Sequence, residues 1–140
     1  MSKSLIVNHN GKDYLGEIGS IRSTRLGYED HGIFTASIDI YFGGGATGQG
    51  AGFMRLDRGY RPDPNDYKTI SVGTAYGMDH IIQIMRAVGV ETWEALTGKQ
   101  VIALRNDSYG TIEGLANTLN DNVVVFKEHA EQFKEKWGNE

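Results

Sequence analysis

Six glycines, Gly43, Gly44, Gly45, Gly48, Gly50 and Gly52, crowd the stretch from Tyr41 to Asp57, and the amide of Gln49 stands between two of them. Glycine costs backbone entropy, so a cluster this dense serves either a tight irregular turn or a close approach of backbone N–H groups to a ligand. Bare donors beside one amide suit phosphates, sugars and base edges. They do not suit catalysis, because the loop supplies no nucleophile or base. The run is not a Walker loop, since Gly-Lys-Ser/Thr is missing and no helix follows. Nor is it the dinucleotide fingerprint, because the next element reads as a strand. A plain hairpin connection and a ligand loop both fit it.

Other side chains could join such a site. Arg86, with Arg105 and Asn106, could meet phosphate and base, and arginine's planar fork suits phosphate oxygens. Surface ion pairs are the competing reading for each. Phe53, just past the glycines, could stack on a base or belong to the core. Trp93 and Met85 read as core. Tyr28-Glu29-Asp30-His31 sets two carboxylates beside an imidazole, but neighbours in a turn point apart, so a solvated hairpin turn is the better reading. Asp57, Asp63 and Asp66 lack calcium-loop spacing, and His9, His31, His80 and His129 show no ligand pairing. No metal and no cofactor is expected.

Positioning these groups falls to a mixed set of elements. Ile33 to Phe42 alternates strictly, with Phe34, Ala36, Ile38, Ile40 and Phe42 on one side and Thr35, Ser37, Asp39 and Tyr41 on the other. That pattern predicts a half-buried antiparallel strand. Gly19 to Leu26 is its predicted hairpin partner across the Tyr28–Gly32 turn, and Ala51 to Leu56 the following strand. Arg58 to Asp66, with Pro62 and Pro64, reads as a surface loop. From Tyr76 to Val88 the period becomes helical: Met78, Ile81, Ile82 and Met85 fall at i, i+3, i+4, i+7, with Asp79, Gln83 and Arg86 as the polar stripe and Gly89 as the stop. Thr92 caps a one-turn helix carrying Trp93 and Leu96, ended by Gly98. Lys99 to Asn106 and Thr111 to Leu119 read as strands joined by a turn at Asp107–Gly110. Val123 to Phe126 is a short strand or the lead into a last helix, whose stripe is Phe126, Ala130, Phe133 and Trp137.

This order predicts an α+β fold: an antiparallel sheet packed against one long helix, with a short helix and a C-terminal helix. At 140 residues the chain is read as one domain, 1–140, with 127–140 as a C-terminal helical extension. A net charge of −4 disfavours a general nucleic-acid binder, which needs a basic stripe, but leaves room for one small anion in a local pocket. Without cysteine there is no disulfide, zinc–thiolate site or thiol nucleophile. The apolar run near Met1–Asn8 is too short for a signal peptide, and no segment approaches the roughly 18 apolar residues of a membrane span, so a cytosolic location is expected. The aromatic stripe at the chain end and the small polar face of Thr35, Ser37 and Tyr41 point to a homo-oligomer.

At Gly48-Gln49-Gly50, Leu56-Asp57, and the segment from Val88 to Lys99 that holds Trp93, Glu94, Leu96 and Gly98, the chain resembles a family of small phage proteins. These are the anti-Thoeris signal sponges, the first of the Thoeris anti-defence families. Tyr28-Glu29-Asp30-His31-Gly32-Ile33 also resembles the family's first hairpin turn. The similarity runs from about Ile21 to the region of Phe126. It departs at Ala51 and Met54, near which the family has aromatics, and at Asn117 and Val123, where a His and a Trp are usual.

The resemblance implies a protein that binds glycocyclic ADP-ribose, the messenger of the bacterial Thoeris system, and sequesters it without cleavage in the cytoplasm of the infected host. Some members are hexamers built from dimers and also hold cyclic di- or trinucleotides of CBASS defence. It implies no polymeric nucleic acid, no membrane and no catalytic residue. A cyclic nucleotide presents phosphates, ribose hydroxyls and a base. For it, Arg86, Arg105, Gln49 and Gly50 would make the polar contacts, Phe53 and Met78 the apolar wall, and Asn106 and Asn117 would read edges. A phage virion or assembly protein and a cyclic-nucleotide hydrolase are the rival readings.

Overall fold

Two residues at positive φ, Asn10 (51°) and Gly11 (81°), join β1 (Ser4–His9) to β2 (Lys12–Glu29) in a two-residue hairpin. Asn-Gly is the sequence that turn favours, because both positions need left-handed backbone. The computed structural model describes residues 4–29, 32–43, 48–107 and 110–138. Gly44 and Gly45 of the glycine loop, Asp30 and His31 of the first predicted turn, and Ser108 and Tyr109 of the later one lie outside them.

The fold is α+β. A large antiparallel sheet runs in the order β4 (Gly48–Arg55), β3 (Ile33–Phe42), β2, β7 (Gln100–Arg105), β8 (Gly114–Ala116), β9 (Val123–Val125), with β1 also paired to β2. β2 is 18 residues long and serves three partners in turn: β1 near its start, β7 across its middle, and β3 from Gly19 onward. A separate ribbon pairs β5 (Asp57–Tyr60) with β6 (Ile70–Gly73).

The register between β3 and β4 slips. Ile38 faces Ala51 but Ala36 faces Met54, so Gly52 and Phe53 both stand opposite Ser37. This is a bulge, and Gly52 supplies the positive φ (66°) it needs. The helix α1 (Ala75–Val88) docks there: the Gly52 carbonyl accepts from His80 Nε2 at 2.8 Å, and a Cβ at Gly52 would lie 3.0 Å from Ile84. Thr74 caps α1 by accepting from the Gly77 N–H at 2.9 Å, and Gly89 ends it in the left-handed region at φ 92°.

α1 touches β4 at one end of the strand order and β8 and β9 at the other. The sheet therefore curls, and one helix spans its two margins. Beneath it lies the main core, in which Ile21, Ile38, Ile40, Ile84, Leu96, Val101, Ala103 and Leu115 are buried. A smaller cluster of Tyr14, Leu104, Ala116 and Val125 packs separately. After α1, Thr92 accepts from Ala95 N and starts the 3₁₀ turn Glu94–Leu96; Gly98 N–H then donates to Ile21 O at 2.7 Å, bringing the chain back to the sheet.

Several expectations need correction. The stripe Met78, Ile81, Ile82, Met85 is not the buried face of α1; Gly77, His80, Ile84, Ala87 and Val88 are. The helix is turned by about one residue, roughly 100°, because Gly77 rather than Met78 meets the backbone of Leu56, between β4 and β5. A Cβ at Gly77 would lie 2.7 Å from the Leu56 Cα and carbonyl. Arg58–Asp66 is not wholly loop, since Arg58 to Tyr60 pair with Ile70 to Val72. The strand expected over Thr111–Leu119 shrinks to Gly114–Ala116, because the Asn117 side chain accepts from the N–H groups of Leu119 and Asn120 and turns the chain. No helix among the described residues is long and apolar enough to cross a membrane.

Candidate functional site

Arg105 ends β7 and is buried, an expensive place for a guanidinium unless its donors are matched. Two of them are: Nη1 donates to Glu17 Oε1 at 2.8 Å and Nη2 to Gln49 Oε1 at 2.6 Å. Its charge lies 4.8 Å from the centroid of the Phe42 ring. Gln49 in turn donates to the Gly110 carbonyl at 3.3 Å. Glu17 comes from β2, Phe42 from β3, Gln49 from β4 and Arg105 from β7, so four strands of the sheet hold one fork in place. Of the nominated residues, Arg105 and Gln49 thus touch, with Gly50 and Asn106 next to them in the chain. Phe42 and Glu17 were missed, because residues brought together by strand pairing at long range leave no local spacing to read.

Gly50, like Gly27, Gly59 and Gly73, has room for a side chain. A Cβ there would meet only ordinary contacts, Asp39 Oδ1 at 3.7 Å and the Ile38 carbonyl at 4.0 Å. Gly48, by contrast, is required by the Tyr41 ring, 2.5 Å from where its Cβ would stand.

The remaining nominees are elsewhere. Phe53 and Met78 are 64% and 61% exposed. Asn117 caps the end of α1, donating to the Val88 carbonyl at 3.1 Å while its oxygen holds the following turn. Arg86 lies on α1 at the wall of a 410 Å³ cleft between that helix and α2 (Phe126–Trp137). The polar stripe Asp79, Gln83, Arg86 faces this cleft.

Two histidines meet acids there. His129 Nε2 donates to Asp79 Oδ2 at 2.6 Å, and His9, from the end of β1, contacts Glu128 at 3.1 Å. Asn10 also donates to Glu128. Behind them the rings of Tyr76, His80, Phe126, His129 and Phe133 form a cluster with centroids 5.2–6.5 Å apart. Burial pushes the His80 imidazole below its ordinary pKa, the neighbouring His129 adding to this and the bond to Gly52 opposing it. Burial raises the Tyr76 phenol, as does Asp79. The Asp79–His129 pair invites comparison with a catalytic dyad, where one ring nitrogen holds the carboxylate and the other reaches substrate. Here the other nitrogen, His129 Nδ1, is buried without a partner, as are His80 Nδ1 and the Tyr76 hydroxyl. A substrate in the cleft could not reach it, so the dyad joins the two helices.

Asp57, part of the Leu56-Asp57 motif, is structural. It accepts from Ser71 Oγ at 2.5 Å, Arg55 Nε at 3.1 Å and Phe34 N at 3.3 Å. The Ser71 bond first, and then those from Arg55 and Phe34, hold its carboxyl below the usual range despite burial. Compared with protein-family models, with curated proteins and with solved structures, the chain matches none.

Proposed function

We propose that this protein binds a cyclic nucleotide messenger, glycocyclic ADP-ribose or a cyclic di- or trinucleotide, and sequesters it without cleaving it in the cytoplasm of a phage-infected bacterium. It does so as a homo-oligomer. The observation that carries this reading is the Arg105 fork, fixed by Glu17 and Gln49 over the Phe42 ring beside the glycine-rich β3–β4 connection. A guanidinium held rigid in advance loses little entropy on meeting a phosphate, and the amide of Gln49 is close enough to share the ligand's oxygens. Gly50, with no steric reason inside the chain to be glycine, leaves backbone open to close approach. None of these groups is a nucleophile. The resemblance at Gly48-Gln49-Gly50 and over Val88–Lys99 adds the ligand class.

The test is capture without turnover. Protein incubated with a cyclic ADP-ribose isomer should deplete free ligand in a filtrate, and heat should return it intact by mass spectrometry. Linearised product growing with time would install the hydrolase reading instead. Failure to deplete any cyclic ADP-ribose isomer, cyclic dinucleotide or cyclic trinucleotide would remove the proposal. Effective capture needs nanomolar affinity, about −12 kcal/mol.

A further inference from the structure

Asn10 is the one asparagine in the chain that glycine follows. Both residues are exposed at the two-residue turn between β1 and β2, where the strand pairing ends with His9 opposite Lys12. The Gly11 N–H is therefore outside the ladder, and a Cβ on Gly11 would meet nothing within 4 Å. A backbone nitrogen with no side chain to shield it is the nucleophile on which an asparagine amide cyclises. The amide it would attack is in use. Asn10 Nδ2 donates to Glu128 on α2 and lies 3.4 Å from His9 Nε2, while His9 contacts Glu128 at 3.1 Å. Turn and helix are thus tied through one carboxylate, which also accepts from Gln132 at 3.4 Å.

We infer that Asn10 is a site of spontaneous deamidation, and that its conversion unties α2 from the β1–β2 turn. The Gly11 nitrogen bonds to Asn10 Cγ, the Cγ–Nδ2 bond breaks, and the amide nitrogen leaves as ammonia with the Gly11 proton. Water then opens the succinimide at either carbonyl, giving aspartate or isoaspartate. The nitrogen lost is the donor to Glu128, and an acid takes its place. Aspartate keeps the turn, because Asp-Gly suits left-handed backbone as Asn-Gly does. It nevertheless sets a carboxylate against Glu128 and competes for His9. Isoaspartate adds a methylene to the main chain, so the two-residue turn and its His9–Lys12 register are lost as well. α2 has no fully buried residue, so losing one of its few tethers is felt along the helix. No residue of the Arg105–Gln49–Phe42 group takes part, and the inference stands apart from the function proposed for that group.

The full chain is aged at mildly alkaline pH and mapped by peptide mass spectrometry, with enzymatic methylation to mark isoaspartate. Asn65 and Asn120, both exposed and each followed by aspartate, are internal references. Asn10 should convert first, to both products. An intact Asn10 when either reference has reacted would overturn the assignment, as would no conversion within weeks. Hydrogen exchange then reads the helix. The α2 amides should exchange about fivefold faster in the aged protein, and in an Asn10→Asp variant, than in fresh wild type. Unchanged exchange would overturn the untying. Glu128→Gln separates charge from turn geometry. In that background Asn10→Asp should add nothing further, since a glutamine amide can donate to the new carboxylate. A second fivefold step there would show that the turn alone carries the effect, and would overturn Glu128 as the link.

Discussion

Burial decides what single residues do in this chain. Arg105 and Asp57 carry charge in poorly solvated places, and each is surrounded by hydrogen-bond partners from separate strands or loops. Replacing Asp57 by alanine strands the Ser71 hydroxyl and the Phe34 N–H together. The expected loss is about 2–3 kcal/mol of stability, measurable by urea denaturation, since bonds to a charged acceptor are the stronger kind. Gln49→Ala discriminates better at the proposed site. It removes one acceptor from the buried Arg105 and a long bond to Gly110, so stability should fall by about 2 kcal/mol. Affinity for a captured cyclic nucleotide should drop by more than that. Equal losses in both measurements would make Gln49 a purely structural support.

His80 adds a pH dependence whose sign follows from burial. Its folded pKa is below the unfolded value of 6.5, so at pH just under that value the unfolded state binds the extra proton and the native state does not. Stability is therefore full above about 6.5 and is lost as pH falls toward the folded pKa. His80→Gln can keep a donor on the Gly52 carbonyl yet cannot titrate. Thermal melts from pH 7.5 to 5 should show a shallower decline for the variant than for the wild type. Identical slopes would assign the decline to other groups.

At the scale of elements, α1 shows how steric contact can outweigh pattern. Met78, Ile81, Ile82 and Met85 make a proper helical stripe in the sequence, yet Met78 and Ile82 remain 61% and 49% exposed. The helix is rotated by two contacts that periodicity does not report: a glycine against the Leu56 backbone and a histidine donating to a bulged carbonyl. Gly77→Ala sets intrinsic propensity against that contact. Alanine gains about 1 kcal/mol in a helix interior. The new Cβ would stand 2.7 Å from backbone atoms that cannot swing aside, and overpacking of that kind costs about 1–3 kcal/mol. The clash should win, with a net drop in melting temperature; a rise would mean that α1 can lift off Leu56 without penalty.

Strands whose side chains alternate, such as β3, and helix ends marked by Thr74 and Gly89 were legible in the sequence, because each depends on neighbours within a few residues. β1 was missed although Asn10-Gly11 is the turn signal that announces it. β6 was missed because all four of its residues are exposed and it pairs only with a ribbon outside the main sheet. The Gln49–Arg105 contact joins two nominated residues 56 positions apart, but which nominees would meet depended on the register of four strands, and register is a tertiary property. The segment from Val88 to Lys99, the strongest part of the resemblance, turned out to be the link that carries the chain from α1 through a buried Leu96 back to β7. A recognisable motif can therefore be a folding device and leave the site to others.

The whole molecule is a curled sheet whose margins are both in contact with α1, and α2 rests on α1 with no fully buried residue of its own. The aromatic stripe of α2 suggested self-association from the sequence. Phe126 and Phe133 instead pack on His80 and Tyr76 of the same chain, leaving Trp137 as the stripe's exposed ring. Other surface offers a second candidate for the interface of the proposed homo-oligomer. Phe53, Met78 and Ile82 are large, apolar and 49–64% exposed, more than a stable monomer needs on the neighbouring elements β4 and α1. Light scattering after gel filtration should give a multiple of 15.4 kDa, and removing α2 by ending the chain at Phe126 should leave that multiple unchanged, though the protein melts earlier. Collapse to a monomer on truncation would return the assembly to α2 after all. A 15.4 kDa species for the intact chain at micromolar concentration would rule out a pocket shared between subunits and leave the Arg105 fork to bind within one chain.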